Sequence, residues 1–253
     1  MLVPDPGCVL VDFDFKLIEV VAAAIIYREP ALEAIIRSGA DIYKTVASLL
    51  MGCSVEDIVT DDDPRRKFGK ITVLSLNYCK GPDTFIEDCW LQRVQLSDSE
   101  IRAAYDKYFE QFPNIKAYQE AQLVRAADGA EARSLSGRRS IMARGHQRWQ
   151  LRNKLTNHPV QMACSDMLKG TMVGLYVLLP DGARILGSCH DEVFLSVPPL
   201  AVRDVCHKAQ QIAAEVGRNI LQSDIPVRID ITTGANWWEC TKAEPLRLED
   251  VEE

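Results

Sequence analysis

No apolar run in the 253-residue sequence approaches the roughly 18–20 residues of a bilayer span, which excludes a sequence-legible transmembrane helix and predicts a soluble protein with no membrane partner. The opening MLVPDPGCVLVDFDF lacks the basic stretch, apolar core and small-residue cleavage site of a secretory leader. Eight cysteines, at 8, 53, 79, 89, 164, 189, 206 and 240, form no CxxC pair and no paired Cys/His spacing. They read as free thiols in a reducing cytoplasm rather than as a zinc site or a disulfide framework. Repeats and low-complexity linkers are missing too, so a division into independent folds is not signalled. What is there, 47% hydrophobic and 26% charged residues, is ordinary globular composition with enough length to bury a core.

A net charge of −7 argues against a nucleic-acid binder if only the total is read. Its distribution says more. Between Ala132 and Ser165 there is no Asp or Glu, while Arg133, Arg138, Arg139, Arg144, Arg148, Arg152 and Lys154 all fall there. Such a patch suits phosphates, whose counterions it displaces, with a solvated basic face as the alternative.

Periodicity predicts an α+β order. Val9 to Phe13, after the turn signal Pro4-Asp5-Pro6-Gly7, reads as a buried strand with Asp14 at its end. Helices are expected over Lys16 to Tyr27, Pro30 to Ser38, Asp41 to Met51 and Arg65 to Asn77, the last entered through Pro64. Ser97 and Glu100 make a capping box ahead of amphipathic helices broken at Phe112-Pro113-Asn114. Gly137-Arg138-Arg139 reads as a hairpin turn, and Trp149 to Leu179 as a helix bent near Pro159. Strands Arg184 to Leu186 and Val193 to Val197 would flank a turn holding Asp191; a helix from Pro199 to Gln222 and a strand from Pro226 to Thr232 follow. Strands from both ends must then share one antiparallel sheet, with helices on one side.

Three segments carry chemistry. Asp14 and the adjacent pair Asp191-Glu192 are acids in apolar strand surroundings, where a free carboxylate is costly and a bound cation removes the cost. Each alone is more often a turn or cap residue than a ligand. Arg66, Lys70, Leu74 and Tyr78, four apart, project along one helical stripe, placing two cations and an aromatic on one groove. Two cations there suit a triphosphate, although the stripe alone also fits an amphipathic helix with snorkelling side chains.

Taken in order, these segments resemble the DNA polymerase I type, family A, of DNA polymerases. Asp14 to Glu19 is similar to that family's motif A, Arg66 to Tyr78 to motif B, and His190-Asp191-Glu192 to motif C. Gly39-Ala40-Asp41-Ile42-Tyr43, Tyr108 to Pro113, Leu135 to Arg139, Asn157 to Gln161 and Gly234-Ala235-Asn236-Trp237 fall where the family has similar segments.

The resemblance implies an antiparallel palm sheet backed by helices and a helical fingers subdomain. Residues 1–30 would be palm with motif A, 31–130 mainly fingers with the motif B helix at 65–78, and 131–253 palm, with the basic segment at 132–165 and the motif C hairpin at 184–197. It implies template-directed addition of dNMP to a primer 3′-hydroxyl, with two Mg²⁺ ions, Mn²⁺ being a substitute. Asp14 and Asp191, with the Phe15 carbonyl, would ligate them, and Glu192 would support the site. Arg66, Lys70 and Tyr43 would meet the triphosphate, with Lys70 as general acid. Leu74 would face the base, and Glu19 with Tyr78 would crowd a ribose 2′-hydroxyl. Asn157, Gln161 and His190 would contact the primer terminus and minor groove, and Arg138, Arg139 and Arg152 the backbone.

The chain departs from the pattern at Phe15-Lys16-Leu17, where the family has Tyr-Ser-Gln, and at Val21, where arginine is common. Leu74 replaces an aromatic, Ser75 and Cys79 replace glycines, and Tyr43 replaces a histidine. Motif A begins within the first twenty residues, so a thumb and an exonuclease-like domain are expected to be lacking here: either a second polypeptide supplies the thumb, docking around Met1 to Cys8, or the chain is a fragment or an unusually minimal enzyme. The cytoplasm is the expected compartment, that of a bacterial host if the source is a phage. Two other functions stay open: a polymerase-like accessory subunit that binds DNA or a partner, and a single-subunit RNA polymerase relative, against which Glu19 argues.

Overall fold

A computed structural model describes residues 2–140 and 147–246, so Met1 and Arg144 of the basic segment lie outside the described residues. It contains helices α1 Ile18–Tyr27, α2 Pro30–Ser38, α3 Ile42–Met51, α4 Pro64–Leu76, α5 Pro82–Leu91, α6 Asp98–Gln111, α7 Pro113–Ala127, α8 Arg148–Leu178, α9 Val202–Leu221 and α10 Trp237–Cys240. The strands are β1 Val9–Lys16, β2 Arg184–Cys189, β3 Glu192–Val197 and β4 Arg228–Gly234. The chain forms two compact units, one of Met1–Ile18 with Met162–Glu253 and the other of Glu19–Gln161. No helix among the described residues is long and apolar enough to cross a membrane.

The first unit is built on one antiparallel sheet of order β2-β3-β1-β4, the sheet anticipated from strands at both ends of the chain. Central β1 buries Val11, Phe13 and Phe15 on one face. Its other face is graded: Leu10 packs with Phe194 and Cys240, Asp12 is buried beside them, and Asp14 and Lys16 are open. Pairing with β4 carries β1 on to Lys16, so Asp14 lies inside the strand rather than at its end. Leu17 then turns the chain at φ 56, and α1 starts at Ile18 rather than Lys16. On α9, Val205, Cys206, Ala209, Ile212, Ala213, Gly217 and Leu221 form the buried stripe of an amphipathic helix.

The second unit is helical. Asp41 caps α3 by accepting from the Tyr43 and Lys44 amides, Asp63 and Pro64 open α4, and the Ser97/Glu100 capping box opens α6 as expected. α5 was not anticipated, although Gly81-Pro82 is a helix-start signal that sequence reading could have used. Residues 132–140 make the expected turn, with Gly137 at φ 84 and a single bridge between Arg133 and Arg139. α8 runs through Pro159 as one element; the ring removes one backbone donor.

Candidate active site

The register of β1 sets the acidic cluster of the first unit. Asp14 lies opposite Glu192 on β3 and opposite Asp230 on β4, so three acids from three strands form one row on one sheet face. Asp191 joins them from the β2–β3 turn, where His190 takes φ 58. The Phe15 amide donates to the Asp191 carbonyl at 3.3 Å, tying that turn to the strand. His190 Nδ1 lies 2.8 Å from Asp191 Oδ1.

Partial burial first, then repulsion from Asp191, Glu192 and Asp230, pushes the Asp14 carboxyl up to about 6, with His190 opposing. Burial and Asp191 likewise raise Glu192, against a hydrogen bond from Trp237 and the pull of His190. One row back, Asp12 is 6% exposed with Oδ1 unpartnered, and burial, Glu192 and Asp14 push it up to about 7. Acids outnumber cations on this face, which carries Lys16 and, opposite it in the register, Arg228. Lys16 answers only Asp230, at 3.1 Å between exposed side chains.

A hard divalent cation fits such a donor set. Among the described residues no three His, Cys, Asp or Glu side chains converge to enclose an ion. An open pair of carboxylates with a backbone carbonyl suits Mg²⁺, which is commonly held by one or two carboxylates together with substrate phosphates and water.

The second unit carries the Arg66–Lys70 stripe. A Cβ added to Gly69 would stand 2.1 Å from the Tyr43 carbonyl oxygen, so only glycine lets α4 approach α3 this closely. That approach sets Arg66 Nε 2.8 Å from Asp41 Oδ2, with its guanidinium 5.5 Å and Lys70 Nζ 5.9 Å from the Tyr43 ring centre. Burial would raise Asp41, but the Lys44 amide, Arg66 and the Tyr43 amide together hold it below its usual value. Burial pushes the Tyr43 hydroxyl up to about 12, so it stays protonated. Lys70 is exposed and Leu74 half-buried on the expected stripe.

Beyond the end of α4, Tyr78 Oη donates to Glu19 Oε2 at 2.6 Å. Gln161 Nε2 donates to Glu19 Oε1 at 2.8 Å and to Tyr78 Oη at 3.1 Å. Sequence reasoning paired Glu19 with Tyr78 but gave Gln161 a different part, and nothing in linear spacing would have joined positions 142 residues apart.

The candidate DNA contacts are less uniform. Asn157, Arg138 and His190 are exposed. Arg139 and Arg133 both bond Glu131, immediately before the acid-free segment, so that segment is less basic than its own composition suggests. Arg152 donates to the Cys79 carbonyl at 3.0 Å and to Asn153 Oδ1. Asp12, Asp41 and Asp230 were not singled out from sequence. Alternation along Val11-Asp12-Phe13-Asp14 puts both acids on one face and could have found the first. Asp230 becomes a neighbour only through the β1–β4 register.

The chain is 26% identical over 243 residues to a thermostable DNA polymerase I of Thermus filiformis, 94% of this chain and 28% of that protein. It is 28% identical to DNA polymerase I of Chloroflexus aurantiacus (94% and 25%) and 29% identical to that of Streptococcus pneumoniae (91% and 26%). It thus spans about a quarter of the length of these relatives. A solved structure described as the POL domain of Pol1 from M. smegmatis, in complex with DNA primer-template and dNTP, superposes at a TM-score of 0.78 with 20% identity, over 95% of this chain and 42% of that one. The family model described as DNA polymerase family A matches residues 1–239, and the chain belongs to that family.

Proposed function

We propose that the chain is a template-directed DNA polymerase core that adds dNMP to a primer 3′-hydroxyl. The observation that carries this is the row Glu192, Asp14 and Asp230 with Asp191 beside it, like charges that outnumber the cations Lys16 and Arg228 on the same face. Asp14, Asp191 and the Phe15 carbonyl would hold two Mg²⁺ ions, or Mn²⁺ in their place. Bound there, the ions would acidify the primer hydroxyl and stabilise the leaving pyrophosphate. Glu192, held by Trp237, would keep the Asp191 turn in place.

Arg66 and Lys70 would bind the triphosphate, with Tyr43 beneath them, and Lys70 would pass a proton to pyrophosphate as it leaves. Glu19 would stand where a 2′-hydroxyl would project, its carboxylate taken up by Tyr78 and Gln161. That paired, bulky carboxylate favours deoxyribonucleotides over the RNA polymerase reading. Asn157, Gln161 and His190 would meet the primer end and minor groove, and Arg138, Arg139 and Arg152 would face phosphates. Single-nucleotide extension of a primer-template in Mg²⁺ at low salt tests this: extension with dNTP and none in EDTA is expected, and no extension under any divalent cation overturns it.

A further inference from the structure

Helix ends leave carbonyls that need partners. At the end of α4 those carbonyls are met inside the second unit. Gln119 Nε2 donates to the Leu76 carbonyl at 2.6 Å, and Tyr27 Oη donates to the Asn77 carbonyl at 3.0 Å. The Asn77 side chain is held as well, its Oδ1 accepting from Tyr108 Oη at 2.9 Å. Tyr27, Asn77, Tyr108 and Gln119 are all buried. Three helices, α1, α6 and α7, thus send one polar group each to the two residues that precede Tyr78.

α1 grips this segment twice. Tyr27, in its last turn, bonds the carbonyl of the peptide that leads into Tyr78, and Glu19, in its first turn, accepts from the Tyr78 hydroxyl. Eight residues of helix make a stiff rod of about 12 Å, so the two bonds fix both the backbone origin and the tip of the Tyr78 side chain. Apolar packing alone would hold the helix end while tolerating small slides; a satisfied buried polar network selects one arrangement.

We propose that Tyr27, Tyr108 and Gln119 are positioning residues for sugar discrimination: without touching nucleotide, they set where the Tyr78–Glu19 pair stands against a ribose 2′-hydroxyl. The proposal deepens the function proposed above and rests on it.

Tyr27→Phe and Tyr108→Phe each remove one hydroxyl and keep the ring; Ile86→Val, at a buried position of α5 in the same unit, is the control. In single-nucleotide extension, the ratio of kcat/KM for dNTP to that for the matching rNTP falls about tenfold in each Phe variant and stays at the wild-type value in the control, tenfold being ~1.4 kcal/mol of lost discrimination. Amide hydrogen exchange at Tyr78, Cys79 and Lys80, measured without nucleotide or DNA, quickens in both Phe variants only. An unchanged ratio in both, an equal fall in Ile86→Val, or unaltered exchange at those three amides overturns the proposal. A wild-type chain that extends no primer instead overturns the function, while the exchange result still judges the clamp.

Discussion

The sheet unit and the helical unit treat charge in opposite ways. On the sheet, Asp12, Asp14, Asp191, Glu192 and Asp230 gather with little cation to answer them, and the carboxyls of Asp12, Asp14 and Glu192 are pushed upward. In the helical unit, Arg66 is paired with Asp41, Glu19 accepts two hydrogen bonds, and the end of α4 has its carbonyls satisfied. Unbalanced charge marks where something from outside must bind, because the protein alone keeps it at a cost. Balanced polar groups mark where side chains must stay put. On the function proposed above, the chemistry would sit on the unbalanced face and selectivity on the satisfied one.

Removing the unbalanced charges should have the largest effect. Asp14→Ala or Asp191→Ala is expected to cut incorporation by roughly a thousandfold, about 4 kcal/mol of lost transition-state stabilisation. The thermal midpoint should not fall, since each change deletes a repelled carboxylate rather than a core contact. Rapid-quench extension with circular dichroism melts checks both halves, and incorporation within tenfold of wild type would return these acids to a structural part.

The helical unit should break by packing instead. Gly69→Ala must push α4 away from the Tyr43 carbonyl, with an expected loss of about 1–3 kcal/mol in denaturant unfolding and a raised KM for dNTP as Arg66 and Lys70 shift. A neutral result would mean that the α3–α4 approach has slack.

Asp12 sharpens the comparison from the other side. Its folded pKa, about 7, lies above the ordinary 3.8, so the folded state binds more protons and stability falls as pH rises from about 4 to about 7. Asp12→Asn should therefore stabilise the protein by on the order of 2 kcal/mol at pH 8 and by little near pH 4, as read from unfolding at the two pH values in EDTA. Equal gains at both would assign the effect to shape. A smaller effect is expected at Glu19→Ala, which opens space beside the 2′ carbon and should raise rNTP use relative to dNTP by about tenfold, or ~1.4 kcal/mol, in matched kcat/KM measurements.

Much of this was legible in the sequence where a local signal and a spacing coincide. Pro64 and Ser97/Glu100 announced their helices because such signals act within one turn. Asp14 and Asp191 were legible as acids among apolar neighbours. The acids that surround them were not, because Asp230 meets Asp14 only through a pairing across 216 positions of chain. Glu131, one residue outside the acid-free segment, changed the meaning of Arg133 and Arg139 through a turn that linear charge counting does not fold. The clamp behind Tyr78 was invisible for the same reason: Tyr27, Tyr108 and Gln119 look like ordinary amphipathic helix residues until three helices converge.

The claim that the sheet face is a cation site is tested most directly by thermal unfolding of the wild type and of Asp14→Asn, each in EDTA and in millimolar Mn²⁺. The wild type should melt higher with Mn²⁺ than without, whereas Asp14→Asn should match or exceed the wild type in EDTA and gain nothing from the metal. A wild type indifferent to Mn²⁺, or an Asp14→Asn protein stabilised by it as fully as the wild type, would contradict the account.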